Sequence, residues 1–412
     1  AAMTACSNDE IIDNDGIQTN GENAAMQINF QFPTTRVVSD GGTNAGIDIE
    51  YAATEITAVL EYTETNKRIV VKGLTFGQQT ESGARIYSTE KFQVEAGNNV
   101  KVYAFINPIM EIPTTGLENL KVGKQKLPSE GLDYIAETIA KSGNFMMSNV
   151  NGEPTVIKAI VGGTDTNTAN ISVERISAKL TEETKRSIDN KYELTTPTFV
   201  GPKVYVQILS HTYTNLADDS YVLGGRNAAW SSFLHPYKTG EVSETDYRWL
   251  NATGTTYVLE NLGSEWNTAT STSVLYQGQV FFENDGNQEI AGTFYSRPKL
   301  QSDGETWKVQ IYKNWEELCA DVDLTGIGEN DVALANRSIM RYAGGKCYYQ
   351  APIEHFGVGA NIARNNWYQL KVTSIADLGY PKPVPPTPEN ETKLMMSVTI
   401  APWTIHINNV GL

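Results

Sequence analysis

A strict alternation of apolar and polar residues in the segment AMQINFQFP is the feature that most constrains this chain. The alternating apolar residues are Met26, Ile28, Phe30 and Phe32. Alternation with a period of two places successive side chains on opposite faces of a strand. Pro33 ends the run, because proline has no N–H to donate to a strand ladder. We therefore predict a half-buried strand over residues 25–33.

Further strand-like segments follow at short intervals along the whole chain. Examples are EITAVLEYTE, KRIVVKGLTF and NNVKVYAFINP in the first half, and PKVYVQILSHTYTN, STSVLYQGQVFF and NNWYQLKVTSIADLG in the second. Short strands separated by turn residues are typical of β-sandwiches. Because 412 residues exceed what one core usually holds, we predict an all-β protein of two tandem β-sandwich domains. Minor helical insertions are predicted at SEGLDYIAETIAKSG and NWEELCADV.

Composition changes suggest where these domains begin and end. Residues 1–24 form a polar, acidic N-terminal spacer, and the polar run TEETKRSIDNKYELTTP marks a boundary near residue 185. The predicted domains are therefore residues 25–185 and residues 186–380. Residues 381–412 form an appendage with a proline-rich beginning and a strand-like end.

Several classes of function find no support in the sequence. The net charge of −16 argues against nucleic-acid binding, and no stretch reaches the roughly 18 apolar residues of a membrane helix. His211, His235, His355 and His406 are scattered without metal-ligand spacing, and no catalytic motif is present. We therefore expect no enzyme, no metal and no cofactor.

The three cysteines allow more than one interpretation. Small residues precede Cys6 in TACS, a pattern that resembles a bacterial lipobox, whose cysteine is lipid-modified; the alternative is a stray cysteine in a disordered segment. Cys319 and Cys347 are equally compatible with a disulfide and with two buried thiols.

The end of the chain repeats the alternation of its beginning. One set of alternating apolar residues is Leu394, Met396, Val398 and Ile400, and after Pro402 a second set is Trp403, Ile405 and Ile407. The preceding PKPVPPTPENET favours extended polyproline geometry and cannot join a ladder. The tail can therefore reach a neighbouring chain and fill a groove there by strand addition. The alternative is a tail that folds back onto its own domain.

Several segments together resemble a known family. GGKCYYQAPIEH, GANIARNNWYQLKVTSIADLGYPKP and SVTIAPWTIHINNVGL resemble the C-terminal half of type V pilins, the fimbrillins of Bacteroidales, with the Mfa-type and FimA-like subunits nearest. NVKVYAFINP and ISVERISAKL resemble N-terminal motifs of the same family. The resemblance covers nearly the whole chain and is most specific around residues 364–383. It implies transthyretin-like, Greek-key sandwiches.

The resemblance also implies a route of assembly. The precursor would be lipid-anchored to the outer membrane through Cys6, and an arginine-specific surface protease would cut between Arg36 and Val37. Loss of the first strand, with Met26, Ile28, Phe30 and Phe32, would open a groove for the donor strands of another subunit. The expected partners are other copies and related fimbrial subunits, in a polymer that supports adhesion to receptors not identified by the sequence.

Two functions therefore remain open. The first is a shaft or shaft-like subunit of a cell-surface fimbria, because the chain has both a removable first strand and a donor tail. The alternative is a monomeric outer-membrane lipoprotein that binds glycans through exposed aromatic residues.

Overall fold

A computed structural model of the chain describes residues 23–31, 53–76, 86–123, 140–141, 144–162, 167–217, 219–224, 233–234, 247, 249–262, 270–355, 362–383 and 394–402. Within these residues the chain is mostly β-strand, with a few short helical segments. The all-β prediction is thereby confirmed. None of the helices in these ranges is long and apolar enough to cross a membrane.

The first part of the chain builds one large sheet. Its strands, with a few short ones outside that sheet, are β1 (Asn23–Gln31), β2 (Ile56–Tyr62), β3 (Lys67–Leu74), β4 (Ile86–Ser88), β5 (Phe92–Glu95), β6 (Gly97–Ile106), β7 (Lys121–Gly123), β8 (Ala140–Lys141), β9 (Asn144–Phe145), β10 (Met147–Asn149), β11 (Thr155–Ala159) and β12 (Thr168–Arg175). Nine of them form a sheet of order β3-β2-β6-β10-β12-β1-β4, in which β11 also pairs with β6 and β5 with β1.

The second part of the chain contains more, smaller sheets. Its strands are β13 (Ser177–Glu182), β14 (Lys191–Glu193), β15 (Phe199–Val200), β16 (Val204–Thr214), β17 (Leu216–Ala217), β18 (Asp219–Tyr221), β19 (Phe233–Leu234), β20 (Gly254–Leu259), β21 (Ser273–Asn284), β22 (Asn287–Ile290), β23 (Phe294–Leu300), β24 (Trp307–Tyr312), β25 (Met340–Tyr342), β26 (Lys346–Pro352), β27 (Asn366–Ile375) and β28 (Leu394–Pro402). The α-helices are α1 (Trp315–Asp321) and α2 (Asp331–Ala335), and 3-10 turns lie at Leu117–Asn119, Val150–Gly152 and Ala343–Gly345.

Three sheets organise this second part. The first has the order β20-β13-β27-β28, the second β14-β16-β21-β22 with β26 beside β21, and the third β15-β24-β23-β25. Apolar side chains from β13 and β27 meet those from β16 and β21 in one core. The short strand β18 pairs with β7 and so joins the two parts of the chain.

Strand β6 shows why the two parts pack closely. Val100, Val102 and Ala104 point into the core of the N-terminal sheet. Tyr103 and Phe105, on the opposite face, belong to the core shared with the second part of the chain. A strand that is apolar on both faces must be covered on both sides, and the second part of the chain provides the cover.

The structure confirms one of the predictions about individual elements and corrects another. NWEELCADV contains α1, whose first turn is capped by the Asn314 side chain, so this helix is confirmed. The helix predicted over residues 129–143 lies outside the described residues except for β8, which is a strand. The segment ANISVERISAKLTEE contains parts of two strands, β12 and β13. The chain changes sheet at Ile176, so β13, which the boundary near residue 185 had placed in the first domain, pairs with strands of the second.

Candidate functional site

Strand β1 lies in the interior of the N-terminal sheet, with hydrogen-bonded neighbours on both edges. On one edge it pairs in parallel with β12 over Gln27–Gln31. On the other it pairs antiparallel with β5 over Asn23–Met26 and then with β4 over Asn29–Gln31. Removing β1 would leave a slot between these strands, which we call the first-strand groove and define by β4, β5 and β12.

The side chains of β1 that face the core are completely buried. Ala24 is 1% exposed, and Met26, Ile28 and Phe30 are 0% exposed. Phe30 also packs edge-on against Phe76, with ring centroids 5.5 Å apart. Burying three large apolar side chains is worth about 5–9 kcal/mol before ordering costs. The predicted half-buried strand is confirmed over the described residues.

The last described strand, β28, has fewer hydrogen-bonded neighbours than β1. Strand β28 lies at the edge of its sheet and pairs with β27, from Leu394↔Ile375 to Pro402↔Asn366. A bulge interrupts the ladder between Val372 and Ser374. We call this β27 edge the tail edge. In the single chain, the tail thus folds back onto its own C-terminal domain, the alternative raised from the sequence.

A buried polar cluster lies beneath β28. The Tyr276 hydroxyl is 3.2 Å from Oε1 of Glu182 and 3.3 Å from Sδ of Met396, which is partly buried. Arg186 donates to Glu182 at 2.6 Å and to Nδ1 of His211 at 2.6 Å. Met396 of the tail therefore lies at the edge of a site where a carboxylate, a guanidinium and an imidazole meet.

Burial determines the charge of this histidine. Removal from water and the neighbouring Arg186 guanidinium together lower the pKa of His211 to about 3. The imidazole is therefore neutral at ordinary pH and accepts the hydrogen bond from Arg186. Burial likewise raises the pKa of Tyr276 well above its ordinary value, which keeps this hydroxyl protonated. The cluster is structural, as expected for His211.

A second buried cluster connects the two parts of the chain. Arg364, just before β27, pairs with Glu260 and donates to the Ser220 hydroxyl at 3.1 Å and to the Tyr221 carbonyl at 2.6 Å. Glu174, on β12, lies close to the same guanidinium, and its burial raises its pKa to about 7. This cluster, which we call the joint, fixes the N-terminal sheet to the C-terminal sheets.

Several predicted site residues lie outside the described residues. These are Cys6, Phe32, Arg36, Val37, Trp403, Ile405 and Ile407, together with His235 and His406. Of the remaining donor-strand residues, Leu394, Val398 and Ile400 are placed by their backbone in β28. Their proposed role in another chain stays a prediction.

The two remaining cysteines do not form the disulfide that the sequence left open. Cys319 is an exposed free thiol on α1, and Cys347 is a buried free thiol on β26. Within the described ranges, no three His, Cys, Asp or Glu side chains are grouped so that they could hold a metal ion.

Sequence reasoning missed both buried polar clusters. Glu182 and Arg186 fall in the polar run that was predicted to mark a domain boundary, and Arg364 carries no pattern of its own. The sequence held one partial sign that Arg364 matters, because the resemblance to the fimbrillins is most specific from this residue onward. The partners of Arg364 are far away in sequence, so pairing could not be predicted.

Comparison with known proteins supports an assignment for the C-terminal region. Residues 340–409 match the family model described as "Major fimbrial subunit protein type IV, Fimbrillin, C-terminal". That family consists of structural subunits, not enzymes. No curated protein matches the chain.

Solved structures of low sequence identity resemble the chain over most of its length. One is a candidate cell adhesion protein from Parabacteroides distasonis, with 13% identity and a TM-score of 0.48, over 94% of this chain and 99% of the other. Another is the tip fimbrial protein Mfa3 from Porphyromonas gingivalis, solved with a C-terminal truncation. Its identity is 13% and its TM-score 0.41, over 93% of this chain and 100% of the other. Similarity at this level carries no functional inference.

Proposed function

We propose that this chain, whose residues 340–409 belong to the fimbrillin C-terminal family, is a structural subunit of a cell-surface fimbria. One observation carries the proposal. The chain has two strands of matching alternation in unequal positions, β1 inside a sheet and β28 at an edge. A subunit that exchanges one strand for another needs this inequality.

Assembly would follow from this difference in position between β1 and β28. Loss of β1 would leave buried apolar positions and unpaired backbone groups along β4, β5 and β12. A tail strand from a second copy would restore both by strand addition. That tail would give up its own edge position, where it has one neighbouring strand, for a groove with neighbours on both sides. The transfer is therefore favourable.

Proteolysis would start the exchange. Arg36 follows β1 by a few residues, so cleavage between Arg36 and Val37 would detach the strand from the rest of the chain. An arginine-specific surface protease is the expected partner. Before this step, the precursor would be held at the outer membrane through lipid-modified Cys6.

The presence of both halves of the exchange favours a shaft or shaft-like subunit. A chain with a groove and a donor tail can bind one neighbour through each, and repetition gives a polymer. Adhesion would be a property of that polymer, in keeping with the family.

An exposed aromatic side chain supports a second candidate function. Trp307 is 64% exposed and lies opposite Leu300, which is 40% exposed, on the β23–β24 hairpin. An accessible indole of this kind is suited to stacking on a sugar ring. In this alternative the chain is a monomeric surface lipoprotein that binds glycans, with lipid and first strand retained.

The decisive experiment treats purified precursor with an arginine-specific protease. We expect a new N-terminus at Val37 and ladders that resist detergent. Arg36→Gln should prevent both, whereas Arg85→Gln serves as a matched control that should not. Deletion of residues 384–412 should abolish the ladders. Ladders that persist without the tail would rule out strand donation, and native protein with an intact N-terminus would favour the alternative.

A further inference from the structure

The core-facing side chains of β1 differ in size along the strand. The first is small and the next three are large: Ala24, then Met26, Ile28 and Phe30. Ala24 is 1% exposed, and so is Val94, its partner on β5. Because protein interiors are close-packed, the first-strand groove has room for a small side chain at its first core position and for large ones at the next three.

One stretch of the tail has the same order of sizes. In APWTIHIN, residues 401–408, the odd-numbered residues are one small residue followed by three large ones: Ala401, Trp403, Ile405 and Ile407. The residues between them are Pro402 and three polar residues, where β1 has Ala25 and three polar residues. Placed over AAMQINFQ, residues 24–31, the stretch therefore matches small with small and large with large at all four core positions.

In this alignment Pro402 takes the position of Ala25. Successive residues of a strand direct their backbone groups to opposite edges, so Ala25 directs its N–H and its carbonyl toward β12. The carbonyl accepts from Nδ2 of Asn167 at 2.9 Å, but within the described residues the ladder with β12 begins only at Gln27. Proline keeps the carbonyl and lacks the N–H, so a proline at this position costs no bond of that ladder.

The next positions along β1 would not accept a proline. The Gln27 N–H donates to the Asn167 carbonyl at 3.1 Å, and the Ile28 N–H donates to the Thr89 hydroxyl at 3.0 Å. A proline at either position would take the donor away from one of these hydrogen bonds. A tail moved two residues toward the end of β1 would place Pro402 at the first of them.

Other registers also fit the core positions less well. A shift by two residues keeps the apolar face inward, so side-chain size must distinguish such registers. Moved two residues toward the end of β1, Ala401 would take the place of Met26 and leave a cavity. Moved two residues the other way, Trp403 would take the place of Ala24 and would be too large for it. Leu394, the first apolar residue of the tail, would overfill that position as well.

A polar position agrees with the same alignment. Asn29 of β1 accepts a hydrogen bond from the Ser88 hydroxyl at 2.7 Å and donates to Oδ1 of Asn170 at 3.1 Å. The aligned residue of the tail is His406. A neutral imidazole has one acceptor nitrogen and one donor N–H, so it offers the same two functions as the Asn29 amide.

We propose that residues 401–408 of a second copy fill the first-strand groove in the direction of β1, with Ala401 at the position of Ala24 and Ile407 at that of Phe30. The assignment rests on the proposed function and specifies which part of the tail is the donor strand. That part begins with the last two residues of β28 and contains the second set of alternating apolar residues, not the first. The small first core position and the single proline select the register.

The test uses the full chain, cut after β1, and synthetic tail peptides. A site for a sequence-specific protease is inserted after Thr35, the chain is cut there, and labelled peptides of residues 390–412 displace the retained strand. The peptide AAMQINFQ, with the sequence of β1, is the reference for binding to the groove. Displacement of β1 by the tail peptide tests the proposed function, and the position of the bound peptide tests the register.

A disulfide reports that position. Ser88→Cys supplies a thiol beside the groove, while Cys6→Ser and Cys319→Ser remove two other thiols. Ser88 is the partner of Asn29 across the β1–β4 ladder, so a cysteine at the Asn29 position of a bound strand is close enough to form a disulfide with it. We expect a tail peptide with His406→Cys to form this disulfide, as a β1 peptide with Asn29→Cys does.

Tail peptides with the cysteine elsewhere are the controls. Those with Thr404→Cys, Ser397→Cys or Thr399→Cys should not form the disulfide. A disulfide from Thr404 would show a reversed strand, and one from Ser397 or Thr399 would show that the first set enters the groove. Either result would overturn the proposal. If the β1 peptide binds and no tail peptide does, the proposed function itself is contradicted.

The small first position gives a second, independent measurement. Ala401→Leu in the tail peptide should weaken binding by about 5-fold or more, because the first core position has no room for the larger side chain. Ala24→Leu in the β1 peptide should weaken binding to a similar extent. Thr399→Leu, which adds apolar bulk outside residues 401–408, is the matched control and should bind like the unmodified peptide. Unchanged binding of the Ala401→Leu peptide would overturn the proposed register.

Discussion

The first and last described strands have similar alternation but very different positions. β1 has hydrogen-bonded strands along both edges and four core-facing side chains at 0–1% exposure. β28 has one neighbouring strand, and its partly buried Met396 packs at the margin of the shared core, 3.3 Å from the Tyr276 hydroxyl. Position in the sheet, not sequence, therefore sets how firmly each strand is held.

This difference indicates what each strand contributes to the folded chain. Loss of an interior strand exposes two edges and the core, whereas loss of an edge strand exposes a single new edge. The polar cluster under β28 can be hydrated when the tail leaves, so its exposure is less unfavourable than exposure of apolar groups.

Deleting each strand gives the most direct contrast. A chain lacking residues 23–31 should lose cooperative folding, because the core of the N-terminal sheet loses one wall. A chain lacking residues 394–412 should stay folded with reduced stability. Near-ultraviolet circular dichroism and urea unfolding measure both outcomes. Similar damage from the two deletions would contradict the comparison.

Truncation of one side chain on each strand tests the same difference between β1 and β28. Ile28→Ala should reduce the free energy of unfolding by about 2–5 kcal/mol, as expected for a fully buried site. Met396→Ala should reduce it by about 1 kcal/mol or less, because this side chain is only partly buried at an edge. Urea unfolding measures the loss of stability in each variant. Ile28→Val, which removes a single methyl group, should lose about 0.5–1.5 kcal/mol.

The joint connects the part of the chain with the groove to the part with the tail edge, and it should make stability depend on pH. The pKa of Glu174 rises from 4.5 to about 7 on folding, so the folded chain binds a proton more strongly than the unfolded chain. Stability from this group should therefore fall as pH rises from about 4.5 to 7, by up to about 3 kcal/mol.

Glu174→Gln should remove this dependence. Urea unfolding at pH 5 and pH 8 should show a steeper loss of stability for the unmodified chain than for the variant. Glu289→Gln, at an exposed position on β22, is the matched control and should leave the profile unchanged. Parallel profiles for the unmodified chain and Glu174→Gln would show that Glu174 does not titrate in this range.

The smallest expected effect concerns the hydroxyl beneath the tail. Tyr276→Phe removes one hydrogen-bond donor from Glu182, which keeps its contacts with Thr184 and Arg186. We expect a loss of about 1 kcal/mol in the free energy of unfolding and faster hydrogen exchange over residues 394–402 than in the unmodified chain, with exchange over residues 23–31 unchanged. Unchanged exchange in β28 would mean that the polar cluster does not help to hold the tail.

The strands of the fold were largely predictable because alternation is a local property. The β1 prediction and the α1 prediction both depended on neighbouring residues, and both are confirmed. The change of sheet at Ile176 has one local signal, because the apolar residues of ANISVERISAKLTEE shift from odd positions up to Val173 to even positions from Ile176. The sheet that each half joins was not predictable from this signal. Asn365, from a distant part of the chain, contacts both sides of this point: its N–H donates to the Ser177 carbonyl, and its Oδ1 accepts from the Arg175 N–H.

The candidate site was predictable only in part, for the same reason. Alternation identified the side chains of β1 that enter the core, but not its parallel pairing with β12 or the contacts from Thr89 and Asn167. Those residues are polar and isolated in the sequence, where nothing distinguishes them from surface residues. Burial gives them significance, and burial depends on distant strands.

The sequence by itself determined that this chain is built of strands, that its two ends alternate alike, and that its C-terminal region resembles the fimbrillins. These properties follow from side-chain periodicity and local motifs, which need no knowledge of partners. Only the tertiary structure decided that β1 lies between strands while β28 lies at an edge. Neighbour relations in a sheet join residues far apart in the chain, so the strength with which each strand is held becomes apparent only in the folded molecule.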